Sequence, residues 1–278
     1  MKKKRIIRSI VIVLIFILLF AAALDTRLKT VTYELQSEKI QSPVRLAVVS
    51  DLHSCLYGDG QKNLADAIVR QNPDIVLYTG DIFDDNMPNE NTIALLEALR
   101  GKYPAYYVTG NHEYWSYASE EMLRLLRQYG VKALQGEWDT VAVNGQKFAI
   151  CGVDDPDVDR YTTPARPFRE QLQAVGGAAL PDDFTVLLSH RPELFAEYEK
   201  YAFDLVLSGH AHGGQWRIPG ILNGLYAPEQ GWVPKYAGGQ YARGGITMIV
   251  SRGLAKESTR LPRIFNRPEV VIVELKGQ

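Results

Sequence analysis

Cysteine is scarce in this chain, at 2 of 278 residues. That excludes a disulfide framework and a Cys-x-x-Cys metal pair. Cys151, inside the apolar run 148–153, reads as a small buried hydrophobe, and Cys55, although next to a polar motif, reads the same way. Net charge is almost absent, at -1 from 31 Lys+Arg and 32 Asp+Glu. No global basic field exists to collect a polyanion, and no nucleic-acid partner is expected. There is no internal repeat, no low-complexity tract, and no adjacent Arg-Arg pair ahead of the first apolar run, which leaves a twin-arginine signal unsupported.

Histidine is also rare, and its placement is informative. The 5 histidines are His53, His112, His190, His210 and His212. Each follows an apolar run of strand type, or the small residues that end one, and none falls in a stretch with helical spacing. His210 and His212 stand one residue apart in Gly209-His210-Ala211-His212-Gly213-Gly214, just after the apolar run 205–207. Asp81, in Gly80-Asp81, occupies the same kind of position.

The N-terminus carries Lys2, Lys3, Lys4, Arg5 and Arg8 ahead of an apolar run over residues 10–24. With residues 6–7 counted and Arg8 snorkelling, the stretch reaches the ~20 residues that span a bilayer. Basic residues on its near side favour a cytoplasmic N-terminus and a domain on the outer side of the membrane. A retained single-pass anchor over residues 1–24 is the expectation. Cleavage at Ala21-Ala22-Ala23, with secretion, is the alternative, and a buried helix of the domain is a third reading.

Residues 25–43 read as a linker containing an edge strand at 28–35, and residues 44–278 as the main domain. Residues 44–50 are a dense apolar run, as in a strand buried on both faces. It ends in Asp51-Leu52-His53. Helical spacing follows at 63–70, then a strand at 75–79 ending in Gly80-Asp81. A helix at 90–100 leads to a strand at 105–109 and Gly110-Asn111-His112-Glu113. Ser119 is expected to cap the next helix, with Glu120 and Glu121 in its first turn. Three strand–motif–helix units in a row predict parallel strands with the motifs at their carboxyl ends. Asn144-Gly145 predicts a hairpin between 138–143 and 148–153. A loop over 154–167, a helix at 168–175, a strand at 184–188, a short helix at 192–200 and strands at 204–208, 246–251 and 269–275 complete a mixed α/β domain.

Carboxylate, imidazole and amide ligands on strand-end loops suit borderline divalent ions such as Mn, Fe, Zn or Ni. Asp51, His53, Asp81, Asn111, His190, His210 and His212 make seven candidates. A closed tetrahedral site needs four; seven suit two ions sharing a carboxylate, an arrangement that clamps a phosphoryl group. His112 is left over as a group able to protonate a leaving oxygen.

Taken together, Asp-x-His, Gly-Asp, Gly-Asn-His-Glu, a single His after a strand and Gly-His-x-His over residues 46–214 resemble the calcineurin-like metallophosphoesterase family. The resemblance implies a four-layer α/β/β/α sandwich with two mixed sheets and a dinuclear metal centre. By position it puts one ion on Asp51, His53, Asp81 and His212, and the second on Asp81, Asn111, His190 and His210, with Asp81 bridging. It makes Asp84 the carboxylate that orients a catalytic His112. The protein-phosphatase branch would have a phosphate-gripping Arg at the next position, and this chain has Asp85. Arg191 is a substitute phosphate-binding residue, with an ordinary surface arginine as the plainer reading.

The anchor and the stretches 189–193, 209–215, 227–231 and 265–269 resemble a bacterial membrane-associated branch of that family. Some of its relatives cleave the pyrophosphate of UDP-2,3-diacylglucosamine, a lipid precursor. The expected activity is hydrolysis of a phosphate mono- or diester near the membrane. The alternatives are a lipid-linked pyrophosphate substrate and a non-catalytic scaffold of the same fold. The aromatic segment 216–241 is expected to pack as a lid or to form an apolar rim that meets the interface or grips an acyl chain.

Overall fold

The structure is a computed structural model and describes residues 2–163, 166–177, 183–256 and 261–278. The chain begins with α1 (Lys2–Ala23), β1 (Lys29–Gln36), β2 (Val44–Val49), α2 (Lys62–Val69), β3 (Ile75–Thr79), α3 (Glu90–Leu99) and β4 (Ala105–Val108). It continues through α4 (Asn111–Trp115), α5 (Ser119–Gln128), β5 (Lys132–Ala133), β6 (Glu137–Val143), β7 (Gln146–Gly152), α6 (Val158–Tyr161) and α7 (Phe168–Gly177). The last elements are β8 (Phe184–Leu188), α8 (Phe195–Tyr198), β9 (Leu205–Ser208), β10 (Tyr226–Ala227), β11 (Gly231–Trp232), β12 (Gly239–Arg243), β13 (Ile246–Val250) and β14 (Glu269–Lys276).

Two mixed six-stranded sheets form, in the orders β1-β14-β2-β3-β4-β5 and β12-β13-β9-β8-β7-β6. The dense apolar runs become the central strands: every residue of β3, β8 and β9 is buried. Their inner faces meet in one core, with Leu46, Leu77 and Val108 from the first sheet packing with Ile150, Leu188 and Leu207 from the second. Full burial of such a side chain contributes about 1.5–3 kcal/mol. A second cluster joins the outer face of the first sheet to α2, α3 and α5, and a third joins the second sheet to α7 and α8. These are the four expected layers.

The register decides where the site lies. β2, β3, β4 and β5 run parallel, and so do β7, β8, β9 and β13. The carboxyl ends of β2, β3, β4, β8 and β9 therefore open onto one edge of the sandwich, and each carries one of the polar motifs.

Several local expectations needed correction. Ser119 is the first residue of α5 rather than its cap, and the Ala118 N–H is instead accepted by Ser116 Oγ at 3.0 Å. The stretch 192–200 is split into a 3-10 turn at Pro192–Leu194, with proline at its first position, and the short α8. The loop 154–167 contains the helical turn α6, and its positions 164 and 165 lie outside the described residues. The hairpin turn has Asn144 and Gly145 both at positive φ, 49° and 79°, as a two-residue primed turn requires.

The N-terminal run forms one helix, and its segment Lys4–Ala23 is 20 residues with mean hydropathy 2.9, exposed along its length except at Ala23. It is long and apolar enough to cross a membrane. Residues 29–36 pair in parallel with β14 as the outermost strand of the first sheet.

Candidate metal centre

The turns after the parallel strands bring all seven candidate ligands to one place. One ligand atom each from Asp51, His53, Asp81 and His212 lie within 4.8 Å of one another, as do those of Asp81, His190 and His210. Asp81 belongs to both groups. His190 Nε2 is 3.1 Å from Asp81 Oδ2 and His53 Nε2 is 3.6 Å from the same oxygen. His212 Nε2 stands 3.4 Å from Asp51 Oδ1. Asn111 is buried on the wall of the same cavity.

The backbone is bent hard to achieve this. Asp51, His53, Asp81, His210 and His212 all have φ between 46° and 66°. A non-glycine residue in such a region costs of order 1–3 kcal/mol, and such residues cluster where function over-determines the fold. Gly110 is required by close approach: a Cβ there would overlap Asp81 Oδ1. Gly209 is held against Ser50 and Asp51 in the same way. The glycines of the Gly-His-Ala-His-Gly-Gly loop thus admit neighbouring protein groups.

Three of the imidazoles have one nitrogen fixed by the fold. His190 Nδ1 donates to the Thr79 carbonyl at 2.7 Å, His53 Nδ1 to Asp84 Oδ2 at 2.9 Å, and His210 Nε2 to Glu229 Oε2 at 2.6 Å. The opposite lone pairs then point inward, as outer partners of metal-binding histidines arrange. One consequence is that His210 Nδ1 and His190 Nε2 face each other at 3.2 Å. Among the described residues, the buried His53 Nε2, Asn111 Oδ1 and His212 Nδ1 have no hydrogen-bond partner. Facing lone pairs, orphaned buried acceptors and a shared carboxylate all call for positive charge between them, and the residues fit a pair of divalent cations.

The electrostatics agree. Burial works against a charged His190, but the Asp81 carboxylate outweighs it and pushes the imidazole up to about 10. Burial would raise Asp81, yet His190 and His112 hold it well below the usual carboxylate range. Burial keeps His212 well below the usual histidine value, in the neutral form a ligand needs.

His112 lies at the rim of these groups. It is in the short α-helix α4, and His212 opens a 3-10 turn, so two of the five histidines stand in helical segments after all. Its backbone N–H is accepted by Asp81 Oδ1 at 2.9 Å and its ring lies 4.3 Å from that of His53. Asp84 is 3.6 Å from His112 Nδ1, whereas Asp85 Oδ1 is at 2.6 Å. Asp85 is therefore the closer partner of His112, and Asp84 serves His53.

Arg191 is not an exposed arginine. It is buried, with Nε and Nη2 donating to the Asp155 carboxylate at 2.5 and 2.9 Å, and with Nη1 3.0 Å from Glu229. Its fork is already taken by carboxylates, which leaves it packed behind His210.

Four acidic residues have roles that the sequence reading did not assign. Glu113 closes the Gly-Asn-His-Glu motif and accepts the N–H groups of Asp81, Ile82, Phe83 and Gly110 at 3.0, 2.9, 3.1 and 2.7 Å. It ties the β3 turn to the β4 turn, and its i,i+3 bond to Gly110 is a helix-start signal readable in sequence. Asp85, Asp155 and Glu229 gave no such signal, because their partners are distant in the chain or chosen by side-chain direction.

Above the ligands is a cavity of about 680 Å³ lined on one side by His53, Asp81, Asn111 and His112 and on the other by Trp115, Trp216, Leu225, Tyr226, Pro228 and Trp232. The candidate ligands and an apolar wall share one space.

Comparison with known proteins agrees with this geometry. Residues 44–214 match the calcineurin-like phosphoesterase family. An uncharacterized metallophosphoesterase of Aquifex aeolicus is 32% identical over 258 residues, covering 90% of this chain and 93% of that one. The chain belongs to the calcineurin-like metallophosphoesterases, hydrolases of phosphoester bonds that use a dinuclear metal centre. A Bos taurus transmembrane protein with a metallophosphoesterase domain is 30% identical, over 62% of this chain and 41% of its own. Haemophilus influenzae NAD nucleotidase shares the fold, with a TM-score of 0.56 at 17% identity, over 77% of this chain and 46% of that longer one.

Proposed function

We propose that the chain hydrolyses phosphate mono- or diesters at a dinuclear centre, with Asp51, His53, Asp81 and His212 holding one ion and Asp81, Asn111, His190 and His210 the other. The observation that carries this reading is the single Asp81 carboxylate standing between two imidazole groups whose outer nitrogens are already committed. Nitrogen and oxygen ligands of this kind suit Mn, Fe, Zn or Ni. When bound, two such ions supply Lewis-acid activation of the phosphoryl group and of the attacking water. His112, with Nδ1 held by Asp85, keeps Nε2 for a proton that it delivers to the leaving oxygen. Asp84 fixes the His53 ring, and Arg191 fixes Glu229 and through it His210 rather than gripping phosphate directly. The test is turnover of bis-p-nitrophenyl phosphate and p-nitrophenyl phosphate with each of the four metals, in the wild type and in Asp81→Asn and His112→Ala. Activity is expected to collapse in Asp81→Asn and to fall by less in His112→Ala, because a nitrophenolate leaves with little help from a proton donor. A wild type inactive with every metal would overturn the reading.

The apolar wall of the cavity favours a second reading, in which the scissile group is the pyrophosphate of a lipid-linked precursor. It is separated from the first by comparing turnover of such a substrate with that of the nitrophenyl esters.

We also propose that α1 is a single-pass anchor that keeps the domain on the outer side of the cytoplasmic membrane. Its length, hydropathy and the basic residues Lys4, Arg5 and Arg8 support this. Protease digestion of intact spheroplasts is expected to remove the domain; protection until lysis would reverse the orientation.

A further inference from the structure

The end of α1, the aromatic segment beyond the metal loop and the cavity mouth are joined by one stretch of chain, residues 261–268. Phe265 donates its backbone N–H to Ala23, the last residue of α1, at 2.7 Å. Arg267 reaches the carboxylate of Asp25 and the carbonyls of Arg27 and Leu28. On its other side the stretch holds the cavity wall. Trp216 Nε1 donates to the Pro262 carbonyl at 2.9 Å, Arg217 N–H to Ile264 at 2.9 Å, and Trp216 bridges to Ile264. Asn266 Nδ2 donates to the His212 carbonyl at 2.7 Å, so the same stretch is also bonded to the metal loop. Helix end, apolar wall and site are fixed to one another by hydrogen bonds at every step.

The wall continues outward as bare apolar surface. Trp216, Ile218, Ile221, Tyr226, Trp232 and Leu261 are all exposed, Ile221 at 85% and Trp232 at 72%. Contiguous exposed apolar surface of this kind marks a contact with another phase or molecule. The composition says which. Residues 215–226 contain one charged side chain, Arg217, and residues 230–238 one, Lys235. Tryptophan, tyrosine and isolated cations with no carboxylate are the set that sits at the headgroup level of a bilayer. The one acid between the two stretches, Glu229, points inward to His210 and Arg191.

We infer that the rim formed by residues 216–226 and 231–233 docks into the interfacial zone of the membrane that α1 enters, with the cavity mouth turned to the lipid. Residues 261–268 set this orientation by tying the stem of α1 to the rim. The mouth then opens at headgroup depth. Given the phosphoesterase reading, on which the substrate class rests, the preferred substrates are amphiphiles of that membrane, with the phosphate at the metal ligands and the first methylenes of the chain against Trp216, Tyr226 and Trp232.

The chain has 4 tryptophans, which makes the docking measurable in the full-length protein. Three versions each keep one tryptophan, Trp216, Trp232 or Trp138, with the others changed to phenylalanine. They are reconstituted in phosphatidylcholine–phosphatidylglycerol vesicles with or without acyl-chain-brominated phosphatidylcholine. Bromine should quench Trp216 and Trp232 and spare Trp138, which lies on the edge strand β6. Equal quenching of all three, or of none, would overturn the inference. So would a blue-shifted Trp232 emission that bromine leaves intact, since a protein surface would then cover the rim. Should a single-tryptophan version fail to fold, a nitroxide at Ile221→Cys reads the same contact, because both native cysteines are buried. It should be relaxed by oxygen rather than by a water-soluble nickel chelate, and the reverse preference would overturn the docking. Neither readout needs turnover, so a rim that docks on a chain that hydrolyses nothing counts against the phosphoesterase reading alone.

Discussion

His112 Nδ1 lies 2.6 Å from Asp85 Oδ1, while Asp84, one residue earlier, gives its carboxylate to His53 Nδ1 at 2.9 Å. Two adjacent acids thus serve two different imidazoles. Asp84 also accepts the N–H groups of Asn86 and Met87, which fixes its direction and leaves Asp85 to face His112.

The two acids should therefore fail differently. Asp84→Asn is expected to weaken metal binding about 10–100-fold, the usual cost of losing a partner behind a metal-binding histidine. Asp85→Asn should leave metal affinity near wild type and lower kcat by a similar factor, by releasing the ring of His112. Metal titrations followed by turnover at saturating metal separate them. Equal loss of metal affinity in both would contradict the division of labour.

A proton donor matters most when the departing alkoxide is a strong base, because its charge then needs neutralising in the transition state. His112→Ala should accordingly cost about 10²–10⁴-fold on an alkyl phosphoester and clearly less on a nitrophenyl ester. Equal losses on the two leaving groups would remove His112 from the proton-donor role and leave it a substrate-positioning residue.

Glu113 holds four backbone N–H groups from two different turns. Burial, reinforced by the charge of Asp81, pushes its carboxyl up. Glu113→Gln presents an NH₂ to donors that need an acceptor. Each buried donor left without a partner costs about 1–3 kcal/mol, so the loss of two predicts roughly 2–6 kcal/mol of stability. The urea midpoint should fall with the m-value unchanged. A midpoint within error of wild type would mean that the turns hold without this staple.

How much of this was legible beforehand depended on distance along the chain. Buried parallel strands must be apolar on both faces, so β2, β3, β8 and β9 stood out, and the motifs at their ends gave the site. What could not be read were relations between distant residues. Nothing in 29–36 indicates that it pairs in parallel with residues 269–276. Nothing near Arg191 indicates that Asp155 and Glu229 will bracket it. The Asp84–Asp85 division failed for another reason: neighbouring side chains diverge, and only the Asn86 and Met87 bonds decide which one turns to which histidine. Ser119 failed as a cap because the helix starts one residue earlier: the Ala118 carbonyl accepts the Met122 N–H at 3.1 Å, which puts Ala118 in the cap position.

Metal removal should also be visible without any substrate. A ligand present at 100 times its dissociation constant stabilises the fold by about 2.7 kcal/mol. In a domain of this size 1 kcal/mol moves the melting temperature by roughly 2–4 °C, so stripping one ion with EDTA predicts a fall of about 5–10 °C. Asp81→Asn removes the shared ligand and should melt at nearly the same temperature with and without chelator. An EDTA-insensitive wild type would argue that the five left-handed ligand residues are held by the protein alone.

Arg191 gives the last prediction. As a phosphate grip it would raise KM when shortened. Its guanidinium instead bonds Asp155 through two nitrogens and stands between Glu229 and His210. Arg191→Lys keeps the charge but loses the fork, and lysine cannot span Asp155 and Glu229 together. Removing one side of a buried pair leaves its carboxylate uncompensated, at a cost of about 3–5 kcal/mol when complete; the retained charge should hold the loss to roughly half of that. Glu229 then loses its guanidinium partner and His210 its fixed orientation. The expected phenotype is lower thermal stability and weaker binding of one metal ion, with KM for a soluble ester unchanged at saturating metal. A raised KM with normal stability would return Arg191 to the substrate.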